Sequence, residues 1–170
     1  MGEHLDSIPF SGIMRIRDMM FGIENPYRLD QGDVSFDAPD AVKAGMSQAI
    51  AENRTHYVQT VGIPRLRELI VDKLQSQNKI PIESVDDVMV TNGGIHGLYV
   101  IFHGLLEPGD EVLCADPMWP STRSTIQSAQ GVPVDCPLYE SGRWRPDLDE
   151  LESKVTQKTR AILLNSPQNP

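Results

Sequence analysis

The sequence contains few cysteines, few aromatic residues and few basic residues. It has two cysteines, 6% aromatic residues, and 15 Lys and Arg against 24 Asp and Glu. Cys114 and Cys136 stand without CxxC or Cys/His ligand spacing, which indicates buried free thiols rather than a zinc site or a disulfide framework. The formal net charge of -9 argues against a nucleic acid or an anionic membrane surface as a partner.

A long apolar run and a basic N-terminus are also missing. The segment from Met1 to Asp6 is acidic, whereas a secretory signal peptide needs positive charge there, and the apolar stretches are short. Asp6 also stands where the myristoylation pattern requires Ser or Thr. We therefore expect a cytoplasmic protein with no membrane segment.

The first 30 residues differ in pattern from the rest of the chain. Residues 1–30 are irregular apart from an apolar segment at 13–21, and we interpret them as an N-terminal arm. Residues 31–170 are predicted to form one α/β domain, truncated at its C-terminal end. This domain is predicted to begin with two amphipathic helices, one running from about Asp37 to Glu52 and one beginning at Pro64.

From Val88 onward, short β-rich runs alternate with helical patterns. This alternation predicts parallel strands joined by right-handed crossovers, and so a three-layer α/β/α fold with a mostly parallel sheet. The predicted strands are residues 88–90, 112–114, 132–138 and 161–164. The predicted helices between them are residues 95–107, 121–129 and a segment with Leu148, Leu151 and Val155 on one face.

Two glycines follow the first of these predicted strands. Gly93 and Gly94 stand where the apolar helix begins. Glycines at a helix N-terminus leave N–H groups pointing outward with no Cβ in front of them, which is a common way to hold a phosphate. A tight turn between strand and helix, with no ligand, explains the same two residues equally well.

Two other ligand classes fit this loop poorly. Asp116 ends the next strand at about the distance of a ribose-binding acid, but a dinucleotide loop needs G-x-G-x-x-G, and Ile95 stands where a glycine is required. His96 and His103 follow on the helix without a third ligand, so no metal site is expected.

Two later loops bring further candidate residues to the same edge of the predicted sheet. Trp119 follows the second strand in a proline-flanked loop, where its ring could stack on a planar ligand or pack under the loop. Asn169 follows the last strand and could present its amide to a ligand or serve as a turn residue. Because ligands in open α/β sheets lie outside the carboxyl ends of the strands, the three loops together favour a binding site.

Six segments of the chain resemble, in order, the class I/II aminotransferases, which are pyridoxal-phosphate (PLP) enzymes of the aspartate aminotransferase fold. The similarity runs from about Leu29 to the last residue. The segments are Gln31-Gly32-Asp33, Thr55-His56-Tyr57 with Gly62 to Arg67, Thr91-Asn92-Gly93-Gly94, Glu107 to Val112, Asp116 to Pro120, and Asn165 to Pro170. Each is weak alone, whereas six in the family's order are specific.

The resemblance implies a role for each residue of the three loops. The backbone at Gly93, Gly94 and Ile95 would hold the phosphate of PLP. Trp119 would stack on the pyridine ring, and Asn169 would donate to the phenolate oxygen of the cofactor.

The resemblance also implies substrates and a partner. The complete enzyme would transfer an amino group between an amino acid and a 2-oxo acid, with Gly32 near the substrate carboxylate. Tyr57 matches a tyrosine that reaches the phosphate of the neighbouring subunit, so a homodimer is implied. Val34 and Thr122 depart from the family pattern, which has proline and a second aromatic residue at these positions.

Three groups that the chemistry requires come later in the family's sequences. These are the lysine that binds PLP covalently, the acid at the pyridine nitrogen and an arginine for the substrate carboxylate. We therefore expect this chain to be an N-terminal fragment without catalytic residues, inactive alone. Its own lysines lie in solvent-facing helical patterns and are expected to be solvated. They include Lys43, Lys73, Lys79, Lys154 and Lys158.

Two alternatives to the aminotransferase remain open. A PLP-dependent carbon–sulfur β-lyase of the same fold would share the cofactor loops, because a fold does not fix the reaction. A dinucleotide-binding α/β domain is the more remote alternative.

Overall fold

The computed structural model describes residues 3–6, 8–9, 11–29, 32 and 34–169. Gln31, Asp33 and Pro170, which belong to the motifs above, lie outside the described residues. The chain divides into two compact units, the first formed by Met1–Pro26 with Asn92–Pro170 and the second by Tyr27–Thr91. The predicted division into an arm of residues 1–30 and a domain of residues 31–170 stays a prediction.

Between residues 94 and 139, helices and strands alternate as the sequence pattern indicates. The α-helices are α1 (Glu3–Asp6), α2 (Gly12–Met20), α3 (Asp40–Ala51), α4 (Pro64–Lys73), α5 (Gly94–Leu105), α6 (Pro120–Ser128) and α7 (Leu148–Ser153). The strands are β1 (Glu111–Asp116), β2 (Val132–Tyr139), β3 (Arg145–Pro146) and β4 (Thr159–Leu163). A π-helix at Leu74–Asn78 and 3₁₀ helices at Val85–Asp87 and Glu140–Gly142 complete the described elements. No helix of the described residues is long and apolar enough to cross a membrane.

Local sequence signals set where several helices begin. Pro64 and Pro120 occupy the first turns of α4 and α6, where a missing N–H breaks no helical hydrogen bond. Asp147 caps α7, because its Oδ1 accepts hydrogen bonds from the backbone N–H groups of Asp149 at 3.0 Å and Glu150 at 3.1 Å. The predicted starts at Pro64 and near residue 121 agree with the structure. The start predicted near Asp37 is wrong, because α3 begins at Asp40 with Pro39 as its N-cap.

The sheet has four strands in the order β3-β2-β1-β4. β1 pairs in parallel with both β2 and β4, whereas β3 pairs antiparallel with β2. Val112, Leu113 and Cys114 of β1 are 0% exposed, as expected of a central parallel strand covered on both faces. The predicted α/β class with a mostly parallel sheet is confirmed.

Helices lie on both faces of this sheet. On one face, α5 and α6 pack against β1, and the buried residues of this core are Phe102, Leu106, Val112, Cys114, Ile126 and Ala129. On the other face, Leu151 of α7 lines a cavity of about 440 Å³ together with Leu113 and Ile162. Because β1 and β4 pair in parallel, their carboxyl ends lie side by side at one edge of the sheet.

The strand predicted at residues 88–90 is wrong. Val88 is extended, with φ -117° and ψ 124°, but the segment pairs with no strand of the described residues. The N–H of Val90 instead donates one hydrogen bond to the carbonyl of Val61, at 2.9 Å. β-propensity therefore gave the correct backbone conformation here and the wrong pairing. The fourth strand of the sheet is β3, whose two residues are too few to show an alternating pattern.

A buried arginine organises the second unit. Arg67 of α4 is 7% exposed. Its Nε donates to the carbonyl of Val88 at 2.8 Å, and its Nη2 donates to the carbonyl of Val85 at 2.6 Å and to Oδ1 of Asp86 at 3.1 Å. One planar guanidinium thus satisfies the backbone of a turn about 20 residues later in the chain.

Candidate functional site

A cavity of about 350 Å³ opens at the carboxyl ends of β1 and β4. Its walls come from α5, β1, the loop after β1, α6, β4 and the loop after β4. The lining residues are Leu98, Ala115, Met118, Trp119, Thr122, Leu163, Leu164, Asn165, Gln168 and Asn169. The structure therefore brings together Trp119 and Asn169, which the sequence placed on two different loops.

The two loops leave neighbouring strands and turn over the same cavity. β1 ends at Asp116, and Trp119 stands directly before the first residue of α6. β4 ends at Leu163, and the loop after it carries Asn169. The peptide bonds before Pro117 and Pro167 are both cis.

The glycine loop lies at the start of α5, one turn before Leu98. Gly93 is the N-cap residue and has φ +83°, a conformation that L side chains rarely adopt. The first hydrogen bond of the helix runs from Gly97 N–H to the Gly93 carbonyl at 3.3 Å. The N–H groups of Gly94 and Ile95 therefore have no partner within the helix.

Gly93 and Gly94 differ in what the backbone requires of them. The conformation of Gly93 explains that glycine without any ligand. Gly94 does not have a left-handed φ, and a Cβ added there meets no heavy atom within 4 Å. Neither backbone conformation nor packing of the described residues therefore requires glycine at position 94.

The histidines of α5 make local contacts. Nδ1 of His96 accepts a hydrogen bond from the backbone N–H of Asn92 at 3.0 Å, which closes the turn before the helix. Nδ1 of His103 lies 2.9 Å from the carbonyl of Tyr99, and the two rings are tilted by 31° with their centroids 3.9 Å apart. Within the described part of the chain, no group of three or more His, Cys, Asp or Glu residues is placed to hold a metal ion.

The remaining predicted residues take different places. Gly32 and Tyr57 belong to the second unit, and the side chain of Tyr57 is fully exposed. Thr122 is 6% exposed and lines the cavity. Ile95 lies in the first turn of α5 and is 41% exposed.

The described walls of the cavity are uncharged, because none of the lining residues named above carries a formal charge. An anion at this edge of the sheet would therefore depend on backbone N–H groups and on the positive end of the α5 dipole.

The cysteines behind the site are free and buried, as predicted. Burial raises the pKa of the Cys114 thiol to about 12, and it also raises the pKa of Cys136. Both thiols are therefore protonated at neutral pH and unsuited to nucleophilic chemistry.

Lys154 is less exposed than the sequence indicated. Its side chain is 28% exposed and forms an ion pair with Glu150 of α7 at 3.3 Å. Its Nζ also donates to the carbonyl of Asp135 at 2.7 Å. The prediction of a solvated lysine is therefore wrong here, because a partner on β2 holds the side chain against the sheet.

Gln168 is a cavity residue that the sequence analysis missed. Its Nε2 donates a hydrogen bond to the carbonyl of Pro117, in the loop after β1. Its Oε1 is buried, and no described residue donates to it. The only feature of the sequence that could have indicated Gln168 as a site residue is that it directly precedes Asn169.

The mostly parallel sheet, with a cavity at the carboxyl ends of its strands, defines an α/β ligand-binding architecture. The Aminotransferase class I and II family matches residues 24–170, and the chain belongs to this family.

Individual relatives agree with this assignment. The chain is 35% identical over 170 residues to an aspartate aminotransferase of Pyrococcus abyssi, covering 100% of this chain and 44% of the relative. It is 38% identical over 139 residues to a probable aspartate/prephenate aminotransferase of Aquifex aeolicus, covering 82% of this chain and 35% of the relative. The solved structure of an aspartate aminotransferase from Thermus thermophilus with maleate superposes with a TM-score of 0.93 at 28% identity, covering 100% of this chain and 45% of that one. The chain thus spans less than half the length of these relatives.

Proposed function

We propose that this chain forms the PLP-binding part of an aminotransferase that transfers an amino group between an amino acid and a 2-oxo acid. One observation carries the proposal: Trp119 and Asn169 line one cavity at the carboxyl ends of β1 and β4. The relatives named above are aspartate and aspartate/prephenate aminotransferases, which favours amino transfer over the carbon–sulfur lyase alternative.

The cavity has the size and character that a planar cofactor requires. Ligand pockets commonly measure about 300–1,000 Å³ and combine apolar walls with a few polar groups, and this cavity measures about 350 Å³. Leu98, Met118 and Leu163 supply apolar wall, and the ring of Trp119 supplies a surface for stacking. Asn169 supplies an amide that can donate to a phenolate oxygen.

Gly94 supports a phosphate position at the start of α5. Glycine within a helix costs about 1 kcal/mol relative to alanine, and the described surroundings give no conformational or steric reason for it. A phosphate approaching the N–H groups of Gly94 and Ile95 gives such a reason, because a side chain at position 94 would stand in its path. This favours the phosphate hypothesis over a plain turn.

Each residue of the site then has a stated task. PLP, when bound, supplies a protonated pyridine ring that withdraws electrons from the substrate bond to be broken. Trp119 would stack on the ring, and Asn169 would donate a hydrogen bond to its phenolate oxygen. The apolar wall around Leu98 excludes water, which strengthens these polar contacts.

The substrate and subunit assignments belong to the same proposal. Gly32 would lie near the carboxylate of the amino acid, and Tyr57 would contact the phosphate in the partner of a cytoplasmic homodimer. The full exposure of Tyr57 supports this role, because it leaves the phenol accessible to a second copy of the chain.

PLP binding tests the site directly. Changing Trp144 to Phe leaves Trp119 as the reporter, since the chain has two tryptophans. We expect PLP to quench Trp119 fluorescence, and Gly94→Asp to weaken PLP affinity at least about tenfold relative to Gly94→Asn. The two side chains have nearly the same size, so the difference isolates the repulsion between carboxylate and phosphate. Thermal unfolding serves as the control, because an acid in the first turn should stabilise α5.

Two results would count against the proposal. Equal PLP affinity in the Gly94→Asp and Gly94→Asn variants would show that the phosphate does not bind at the start of α5. For the reaction, the protein as its gene encodes it is incubated with an amino acid and 2-oxoglutarate. Glutamate supports the aminotransferase, whereas pyruvate and ammonia without glutamate identify the lyase.

A further inference from the structure

The two loops of the candidate site lie beyond the paired part of the sheet. The pairing of β1 with β4 ends at Cys114 and Leu163. Trp119 stands five residues after the first of these and Asn169 six residues after the second. Backbone hydrogen bonds of the sheet therefore do not set the distance between these two side chains, and another contact must do so.

Gln168 supplies a contact between the loops. Its Nε2 donates to the carbonyl of Pro117, 51 residues earlier in the chain. Pro117 is two residues before Trp119, and Gln168 directly precedes Asn169. One side-chain hydrogen bond thus joins the two loops next to the residues proposed to hold the ring of the cofactor.

The partner of this bond fixes how the amide of Gln168 is oriented. A carbonyl oxygen only accepts hydrogen bonds, so the NH₂ group must face Pro117. Oε1 then points away from Pro117, buried and without a donor among the described residues.

We propose that Gln168 is a positioning residue that holds the loop after β4 against the loop after β1, so that Asn169 and Trp119 contact the same ligand. The inference rests on the proposed PLP site. What it adds to that site is that Gln168 affects binding through Asn169 and Trp119, and not by contacting the cofactor.

The test uses the Trp144→Phe chain, in which Trp119 reports on the loop. Gln168→Glu keeps the size of the side chain, but an ionised carboxylate cannot donate to Pro117. Gln168→Asn keeps the amide neutral and is one methylene too short to make the same contact. Gln75→Glu is the matched control, because Nε2 of Gln75 donates to the carbonyl of Ile82 at 2.7 Å, in the second unit.

Without PLP, we expect both Gln168 variants to shift the emission maximum of Trp119 and to make its ring more accessible to acrylamide, whereas Gln75→Glu leaves both unchanged. With PLP, we expect both Gln168 variants to lower the affinity about five- to tenfold, the effect of one lost hydrogen bond. Combining Gln168→Glu with Asn169→Ala should lower the affinity by less than the product of the two single effects.

Different failures separate the two proposals. Trp119 emission and PLP affinity in the Gln168 variants equal to those of Gln75→Glu would overturn the inference, as would fully multiplicative effects in the double variant. If the protein as its gene encodes it does not bind PLP, the proposed site fails, and the emission of Trp119 without PLP still decides whether Gln168 positions the loop.

Discussion

At the scale of single residues, Cys114 makes the stability of the first unit sensitive to alkaline pH. Its pKa is raised to about 12 from 9.0, because burial disfavours the thiolate. Between these values the unfolded chain releases a proton that the folded chain retains. The free energy of unfolding should therefore fall as pH rises from 9 to 12, by up to about 1.4 kcal/mol per pH unit.

Urea unfolding across this pH range, with and without Cys114→Ala, measures the effect. Other groups also titrate there, so the informative quantity is the difference between the two slopes. We expect the alanine variant to have the shallower slope. Equal slopes for the two proteins would mean that Cys114 does not cause the fall in the free energy of unfolding.

In the second unit, the buried Arg67 is the residue whose replacement should affect stability. Lysine at this position keeps the charge but cannot reproduce the fork that bonds Val85, Val88 and Asp86. Because buried carbonyls would lose their donor, we expect Arg67→Lys to lower the free energy of unfolding by about 2–3 kcal/mol.

Arg65 provides the control for this prediction. It lies two residues away on α4, is 71% exposed and pairs with Glu68 at 3.0 Å. Arg65→Lys should change stability by less than about 0.5 kcal/mol, as exposed ion pairs contribute little. Similar urea midpoints for the two variants would show that the buried fork is not what stabilises this unit.

At the scale of elements, two glycines of the first unit should respond to alanine in opposite directions. A Cβ at Gly104 of α5 meets no heavy atom within 4 Å, so Gly104→Ala should stabilise by about 0.5–1 kcal/mol. A Cβ at Gly131 would lie 2.6 Å from Cδ1 of Leu106 and 3.0 Å from Cγ2 of Ile126. Gly131→Ala should therefore destabilise by about 1–3 kcal/mol. Thermal unfolding tests both, and effects of the same sign would contradict this account of α5 and α6.

Helices were easier to predict than strand pairing. Pro64 lies within the helix whose start it predicts, and α3 begins only three residues after the predicted start at Asp37. Pairing depends on which other strand is adjacent, which no local signal states. Val88–Val90 therefore looked like a strand, whereas the two residues of β3 did not.

The site shows the same division between local and long-range information. Trp119 and Asn169 could be assigned to one cavity because carboxyl ends of parallel strands meet at one edge. The bond between Gln168 and Pro117 could not be predicted, because it depends on side-chain rotamers and on the path of both loops. Gly93 could be predicted as a turn residue. Only the structure shows that the backbone conformation at Gly94 does not require glycine.

At the scale of the whole molecule, protection from hydrogen exchange should be greatest in β1. This strand pairs on both sides, and its residues Val112, Leu113 and Cys114 are 0% exposed. Amides with such surroundings exchange only through large openings. We expect them to exchange more slowly than the amide of Arg145 in β3, which NMR or mass spectrometry can measure. Faster exchange in β1 than in β3 would contradict the assignment of β1 as the centre of the core.

Gly94 has a consequence for engineering. Its replacement by alanine should strengthen α5, since the added methyl group meets nothing within 4 Å. A laboratory selection for heat resistance alone would therefore replace this glycine, and a selection for cofactor capture would retain it. The two selections would therefore give different residues at position 94, and the residue found there would show which property was selected.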